Sequence, residues 1–89
     1  MMDWLNRRRQ GELKVNVVTL LLATDELRDA VGYQRLKNHR FPCTKNRFAL
    51  AELRGRLAHI KAAGRAATFE LLNSGISHRE FMRFVRSLP

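Results

Sequence analysis

Cysteine is almost absent: Cys43 is the only one among 89 residues. No intrachain disulfide can form and no cysteine-based metal centre can be assembled, so a cytosolic setting is the default expectation. Proline is nearly as scarce, with Pro42 and the final Pro89 the only two. The stretch from Thr44 to Asn73 therefore lacks the residue that most strongly breaks helices. No apolar run approaches the roughly 18 residues of a membrane span, and no membrane partner is expected. The run from Val17 to Ala23 follows Arg7, Arg8 and Arg9 as the apolar part of a signal peptide would. Glu12, Lys14 and Asn16 intervene and the run is short for that role, which argues against a targeting segment.

The usual signs of chemistry are missing as well. His39, His59 and His78 show no ligand spacing, and the sequence holds neither a glycine-rich phosphate loop nor a Gly-x-Ser-x-Gly elbow. The expectation is no catalysis, no cofactor and no metal. Acidic residues are also few, eight against seventeen Lys and Arg, leaving a net charge of +9. That exceeds what solubility asks of a small domain, about 2 to 8 in magnitude, and points to an acidic partner. Nucleic acid is the commonest such partner, DNA ahead of RNA, with an acidic protein surface as the competitor. Thirteen of the basic residues are arginine. The planar guanidinium fork suits phosphate and carboxylate, although a GC-rich coding sequence would produce the same bias.

What the chain does contain is helical pattern. From Thr44 to Asn73, Leu50, Leu53, Leu57, Ile60, Gly64, Ala67 and Leu71 recur at steps of three and four, one seam of a long helix that must be buried. Arg47, Arg54, Lys61 and Arg65 fall within roughly 40° of one another beside that seam, forming a cationic ridge. Another flank carries Ala51, Ala58, Ala62 and Ala66, small side chains that permit close approach of a second element. Asn73, Ser74 and Gly75 end the helix, glycine suiting a left-handed terminal position. Ser77 and Glu80 then have capping-box spacing, and Ile76 and Phe81 the spacing of a hydrophobic staple. The final helix places Phe81, Phe84, Val85 and Leu88 on one side and Arg79, Arg83 and Arg86 on the other. Together with the long helix it forms a C-terminal αα-hairpin.

The N-terminal part reads as shorter pieces. Asp3 caps a short helix closing at Gly11, with Trp4 docked on the core and Arg7 to Arg9 exposed; residues 1–11 are thus a flexible, phosphate-contacting arm. Glu12 to Ala23 suits a helix or a short N-terminal strand. Val15, Val17, Val18 and Thr19 favour the strand, whereas the lack of a second strand to pair with favours the helix. Thr24, Asp25 and Glu26 start a helix that buries Leu27, Ala30 and Val31 and ends at Gly32. This order has the outline of the first helix and turn of a helix-turn-helix regulator. Tyr33 to Phe41 offers only Leu36 to anchor a recognition helix, however, and no family is assigned. Lys37 to Arg40 and Lys45 to Arg47 form a basic connection broken at Pro42, with Phe41 as a core plug.

The sequence thus predicts one small all-α domain, residues 1–89, built on the long helix and the C-terminal hairpin, with a homodimer left open because so small a core gains from association. Its expected function is that of a small basic nucleic-acid-binding protein, a DNA-binding regulator or accessory factor of a mobile element. Phosphates would be contacted by Arg47, Arg54, Lys61, Arg65, Arg79, Arg83 and Arg86, with Arg7, Arg8 and Arg9 auxiliary. The alternative is a phage-type inhibitor or adaptor, resembling anti-CRISPR or anti-restriction proteins, that docks its basic surface on a larger protein.

Overall fold

A computed structural model describes residues 2–89. Three helices follow one another: α1 from Met2 to Arg40, α2 from Thr44 to Leu72 and α3 from His78 to Ser87. Thirty-nine residues at about 1.5 Å each make α1 some 58 Å long, and the molecule measures 59 × 19 × 15 Å. The first helix therefore sets the length of a rod.

The separate N-terminal pieces of the sequence reading are one helix. Among the described residues there is no strand, so Glu12 to Ala23 is helical, and α1 passes through Gly11 and Gly32 without a break. Thr24 is not an N-cap; it is buried mid-helix and its hydroxyl donates to the Leu20 carbonyl at 2.8 Å. Met1 lies outside the described residues, while 2–11 are the first turns of α1 and not a separate arm. What unites α1 is a heptad pattern visible only over its whole length. Gln10, Leu13, Val17, Leu20, Thr24, Leu27, Val31, Gln34 and Asn38 alternate steps of three and four, and all are buried or half-buried. This is the 3.5-residue spacing of a coiled-coil seam.

The α2 seam behaves as its spacing predicts: Leu50, Ala67 and Leu71 are buried and Leu53, Leu57, Ile60 and Gly64 half-buried. The two seams pack antiparallel. Gln10 Nε2 donates to the Ser74 carbonyl at one end and Gln34 Nε2 to the Asn46 carbonyl at the other. Between them, a Cβ built on Gly64 would sit 4.0 Å from the Leu20 Cβ. The main hairpin is therefore α1 with α2, and the C-terminal hairpin of the sequence reading is a smaller addition. Two helices can bury only one side of each other, which leaves Leu71 as the sole fully buried large side chain among the described residues.

Arg40 ends α1 because Pro42 disfavours helical geometry at Phe41. Lys37, His39 and Arg40 occupy the last turn, where cations complement the carbonyl end of the helix dipole. The connection is thus only residues 41–43, shorter than the basic linker expected, and Asn46 Nδ2 braces it by donating to the Phe41 carbonyl at 2.7 Å. Phe41 is 64% exposed and plugs nothing, and Trp4 at 62% does not dock on the core. Trp4 instead lies under the Arg8 guanidinium, 5.7 Å from ring centroid to Cζ.

At the other end Gly75 takes a φ of 85°, a left-handed conformation that glycine adopts without steric cost. The Ser77 hydroxyl accepts from the Glu80 amide at 3.2 Å and starts α3 as its spacing predicts. Ile76, Phe81 and Phe84 pack against the cluster of Leu13, Val17, Ala67 and Leu71.

Candidate nucleic-acid interface

An antiparallel pair of helices brings the same heptad flank of each to the same side of the rod. On α1 one flank carries Lys14, Leu21, Arg28 and Arg35, seven residues apart; on α2 it carries Arg47, Arg54, Lys61 and Thr68. The clefts along the groove show these residues side by side. Near the connection, Arg35, Arg47 and Arg54 line one cleft of about 810 Å³ together with Asn38, His39 and Pro42. Further along, Arg28, Lys61 and Arg65 rim a second of about 480 Å³ whose floor is Val17, Leu20, Leu21 and Leu72. At the far end, α3 sits on the same groove: Leu88 closes the second cleft, and Arg83 and Phe84 line a smaller one with Lys14. The Lys14 ammonium stands 6.0 Å from the centroid of the Phe84 ring.

Neither of the two larger clefts is lined by a carboxylate. Among the described residues the ion pairs are Arg8 with Glu12, Arg9 with Glu70, Arg28 with Asp25 and Arg56 with Glu52. Arg35, Arg47, Arg54, Lys61 and Arg65 belong to none of these and are all exposed. The opposite flank differs, because Arg9, Arg56 and Glu70 are paired there, Asn16, Ala23, Ala30, Ala49 and Ala63 are uncharged, and Lys37 is its one cation outside these ion pairs. Positive charge without counter-charge is concentrated on one side.

The sequence-predicted ridge Arg47, Arg54, Lys61 and Arg65 is therefore one half of a surface. Its other half, Arg28 and Arg35, was missed because it becomes one flank only when α1 is read as a single helix. Of the α3 arginines, Arg83 reaches the groove beside Lys14, whereas Arg79 and Arg86 are exposed and line none of these clefts. Arg7, seven residues before Lys14, begins the same flank beyond these clefts, whereas Arg8 and Arg9 stand apart. Twenty-six residues of helix, about 40 Å, separate Arg9 from Arg35, and both Arg8 and Arg9 already hold glutamates.

The α2 N-terminus adds to the first cleft. Its first turn contains no acidic residue and the N-cap Cys43 supplies no side-chain hydrogen bond, while Pro42 and Arg47, on either side of it, both line the cleft. Free N–H groups at a helix start favour an anion. Within the cleft the buried Asn38 Oδ1 has no hydrogen-bond partner. Among the described residues no three His, Cys, Asp or Glu side chains gather to hold a metal, and no helix is long and apolar enough to cross a membrane.

Comparison with protein-family profiles, curated proteins and solved structures found no match to the chain. The functional argument therefore rests on this charge distribution.

Proposed function

We propose that the protein binds nucleic acid, duplex DNA ahead of RNA, by laying the cationic flank of its α1–α2 hairpin against the phosphate backbone. The observation that carries this reading is the meeting of Arg35, Arg47 and Arg54 in one cleft without a carboxylate, continued along the rod by Arg28, Lys61 and Arg65. Arg47 and Lys61 are fourteen residues apart, about 21 Å of helix. Duplex DNA presents one negative charge per roughly 1.7 Å of axis, so phosphates are dense enough to engage every cation of the flank. Such contacts fix orientation and supply affinity without reading sequence.

Phosphate contacts from the five cations outside the ion pairs, Arg35, Arg47, Arg54, Lys61 and Arg65, give a slope of about −4.5 when the logarithm of the association constant is plotted against that of salt. Fluorescence anisotropy with labelled duplex DNA, single-stranded DNA and RNA over a salt series measures it. Absence of binding to all three at low salt sinks the proposal.

The second cleft favours a different partner. Its apolar floor offers nothing to a phosphate, and its rim of Arg28, Lys61 and Arg65 matches an amphipathic helix bearing carboxylates. An inhibitor or adaptor docking on a larger acidic protein would use it. Loss of a captured protein on Leu21→Asp substitution, with nucleic-acid binding absent in the wild type, would select this reading.

A further inference from the structure

At the closed end of the rod, on the flank of α1 that carries Lys37, two aromatic rings stand in the open. Tyr33 and Leu36 are each 70% exposed and Phe41 64%. With Lys37 and Arg40 they line one cleft of about 240 Å³ that contains no carboxylate. Neither cation belongs to the ion pairs found among the described residues. Tyr33, Leu36, Lys37 and Arg40 share one face of the helix by their spacing. Phe41 extends the same turn, its amide donating to the Lys37 carbonyl at 2.8 Å while its carbonyl accepts from Asn46 Nδ2 at 2.7 Å. The Phe41 backbone is thus held on both sides, so the exposure of its ring does not come from a loose connection.

The helix dipole accounts for the two cations, which lie in the last turn of α1. It does not account for two large rings beside them, and apolar side chains gathered in one exposed patch mark a contact surface. Other exposed aromatics are differently placed: Trp4 already lies against the Arg8 guanidinium, and Phe69 is the one aromatic in its cleft. Leu36 lines both this cleft and the one that holds Arg35, Arg47 and Arg54. The aromatic cleft and the cationic cleft therefore adjoin across a single side chain.

We infer that this cleft takes an unpaired nucleobase, stacked on Tyr33 and Phe41, with Lys37 and Arg40 at its phosphate. The slot rests on the nucleic-acid reading proposed above and adds a preferred form, a duplex with a single-stranded overhang over a fully paired one. Bases inside a duplex hide their faces against one another, whereas an unpaired base offers its π-face to an aromatic ring. A nucleotide also matches both halves of the cleft, since ring and anion are joined in one unit; an apolar helix would leave the two cations without a partner. Size agrees. Clefts that enclose drug-sized ligands run from about 300 to 1,000 Å³, and this one is smaller, suited to a single planar ring. Stacking of this kind is tolerant of sequence, because every base has a π-face.

Anisotropy titration of the full chain with a blunt duplex, and with the same duplex carrying a short single-stranded overhang, tests this. The overhang, on one strand or the other, should tighten binding about tenfold. Tyr33→Leu and Phe41→Leu keep apolar bulk at exposed positions and remove the π-face. Each should remove most of that preference while leaving blunt-duplex affinity and its salt slope unchanged, with helicity confirmed by circular dichroism. Tyr33→Phe should retain the preference, because stacking needs the ring and not the hydroxyl. Tyr33 is the only tyrosine, so in a Trp4→Phe background its fluorescence reports on that ring, and the overhang duplex should quench it where the blunt duplex does not. Blunt-duplex binding without any overhang preference overturns the slot and leaves the cationic flank standing. A preference that survives both leucine variants also overturns it, as does equal weakening of blunt and overhang binding. Absence of binding to every nucleic acid removes flank and slot together.

Discussion

Replacing Arg35, Arg47 and Arg54 together by glutamine removes the cations of one cleft while keeping their length and helix propensity. None is ion-paired or buried, so the fold loses no counter-charge and circular dichroism should be unchanged. If each neutralises one phosphate, the log-log salt slope of duplex binding falls by about 2.7 units. Extrapolated from molar to physiological salt, that slope amounts to about two decades, so affinity should drop about a hundredfold. Anisotropy titrations between low and moderate salt separate slope from intercept. Arg56→Gln is the control, since that arginine already holds Glu52 at 2.7 Å on the other flank and should lower the slope little. A triple variant that binds with wild-type slope would refute the phosphate assignment, even if its affinity fell, because a solvated charged face changes encounter and not counterion release.

Leu71→Ala empties the one fully buried leucine and should cost about 3 kcal/mol in denaturant unfolding, against less for the half-buried Leu53→Ala; equal losses would show the core lies elsewhere. Ser77→Ala should cost about 1 kcal/mol because the Glu80 amide loses its acceptor. Ser74→Ala should cost little, as its hydroxyl bonds only to the Leu71 carbonyl that its own amide already reaches. Gly11→Ala and Gly32→Ala should each stabilise by about 0.5 to 1 kcal/mol, because both lie inside α1 with open space around a Cβ; destabilisation would mean that α1 is interrupted there. The folding midpoint of the unliganded wild type should rise with salt, measured by thermal denaturation, since screening relieves the unpaired cations; a fall would show that surface ion pairs dominate.

The second half of the chain was legible because its signals are local. Seven seam positions in a proline-free stretch, a serine three residues before a glutamate and a glycine after the long helix each specify structure within a few residues. The first half was not, because its local signals conflict with its global one. Gly11, Thr24 with two acids behind it, and Gly32 each resemble a helix boundary. Polar Gln10, Thr24, Gln34 and Asn38 interrupt the apolar seam, which hides its heptad spacing. Their reason is tertiary: Gln10 and Gln34 donate across to carbonyls of the returning chain, and Thr24 to its own helix. Polar residues at such positions specify register at some cost in stability. Trp4 and Phe41 were misread for a related reason, since a large aromatic in a two-helix rod has no third layer to enter.

The candidate site depended on the same missing register. The ridge on α2 follows from spacing alone, but Arg28 and Arg35 join it only once α1 is continuous and antiparallel to α2. That arrangement sets like charges along one groove where exchanging a few lysines or arginines for glutamates would have supplied ion pairs, as Arg9 with Glu70 and Arg56 with Glu52 do elsewhere on the rod. Like-charge neighbours on exposed helix faces cost a few tenths of a kcal/mol each, a small penalty singly but one repeated along the groove. Local stability does not account for it, since the opposite flank shows that the sequence can pair its charges. A polyanion binding the groove reverses the sign of that penalty, and ligand binding to the folded state stabilises it by mass action. On the proposed reading, a bound polyanion rather than the fold accounts for the one-sided charge.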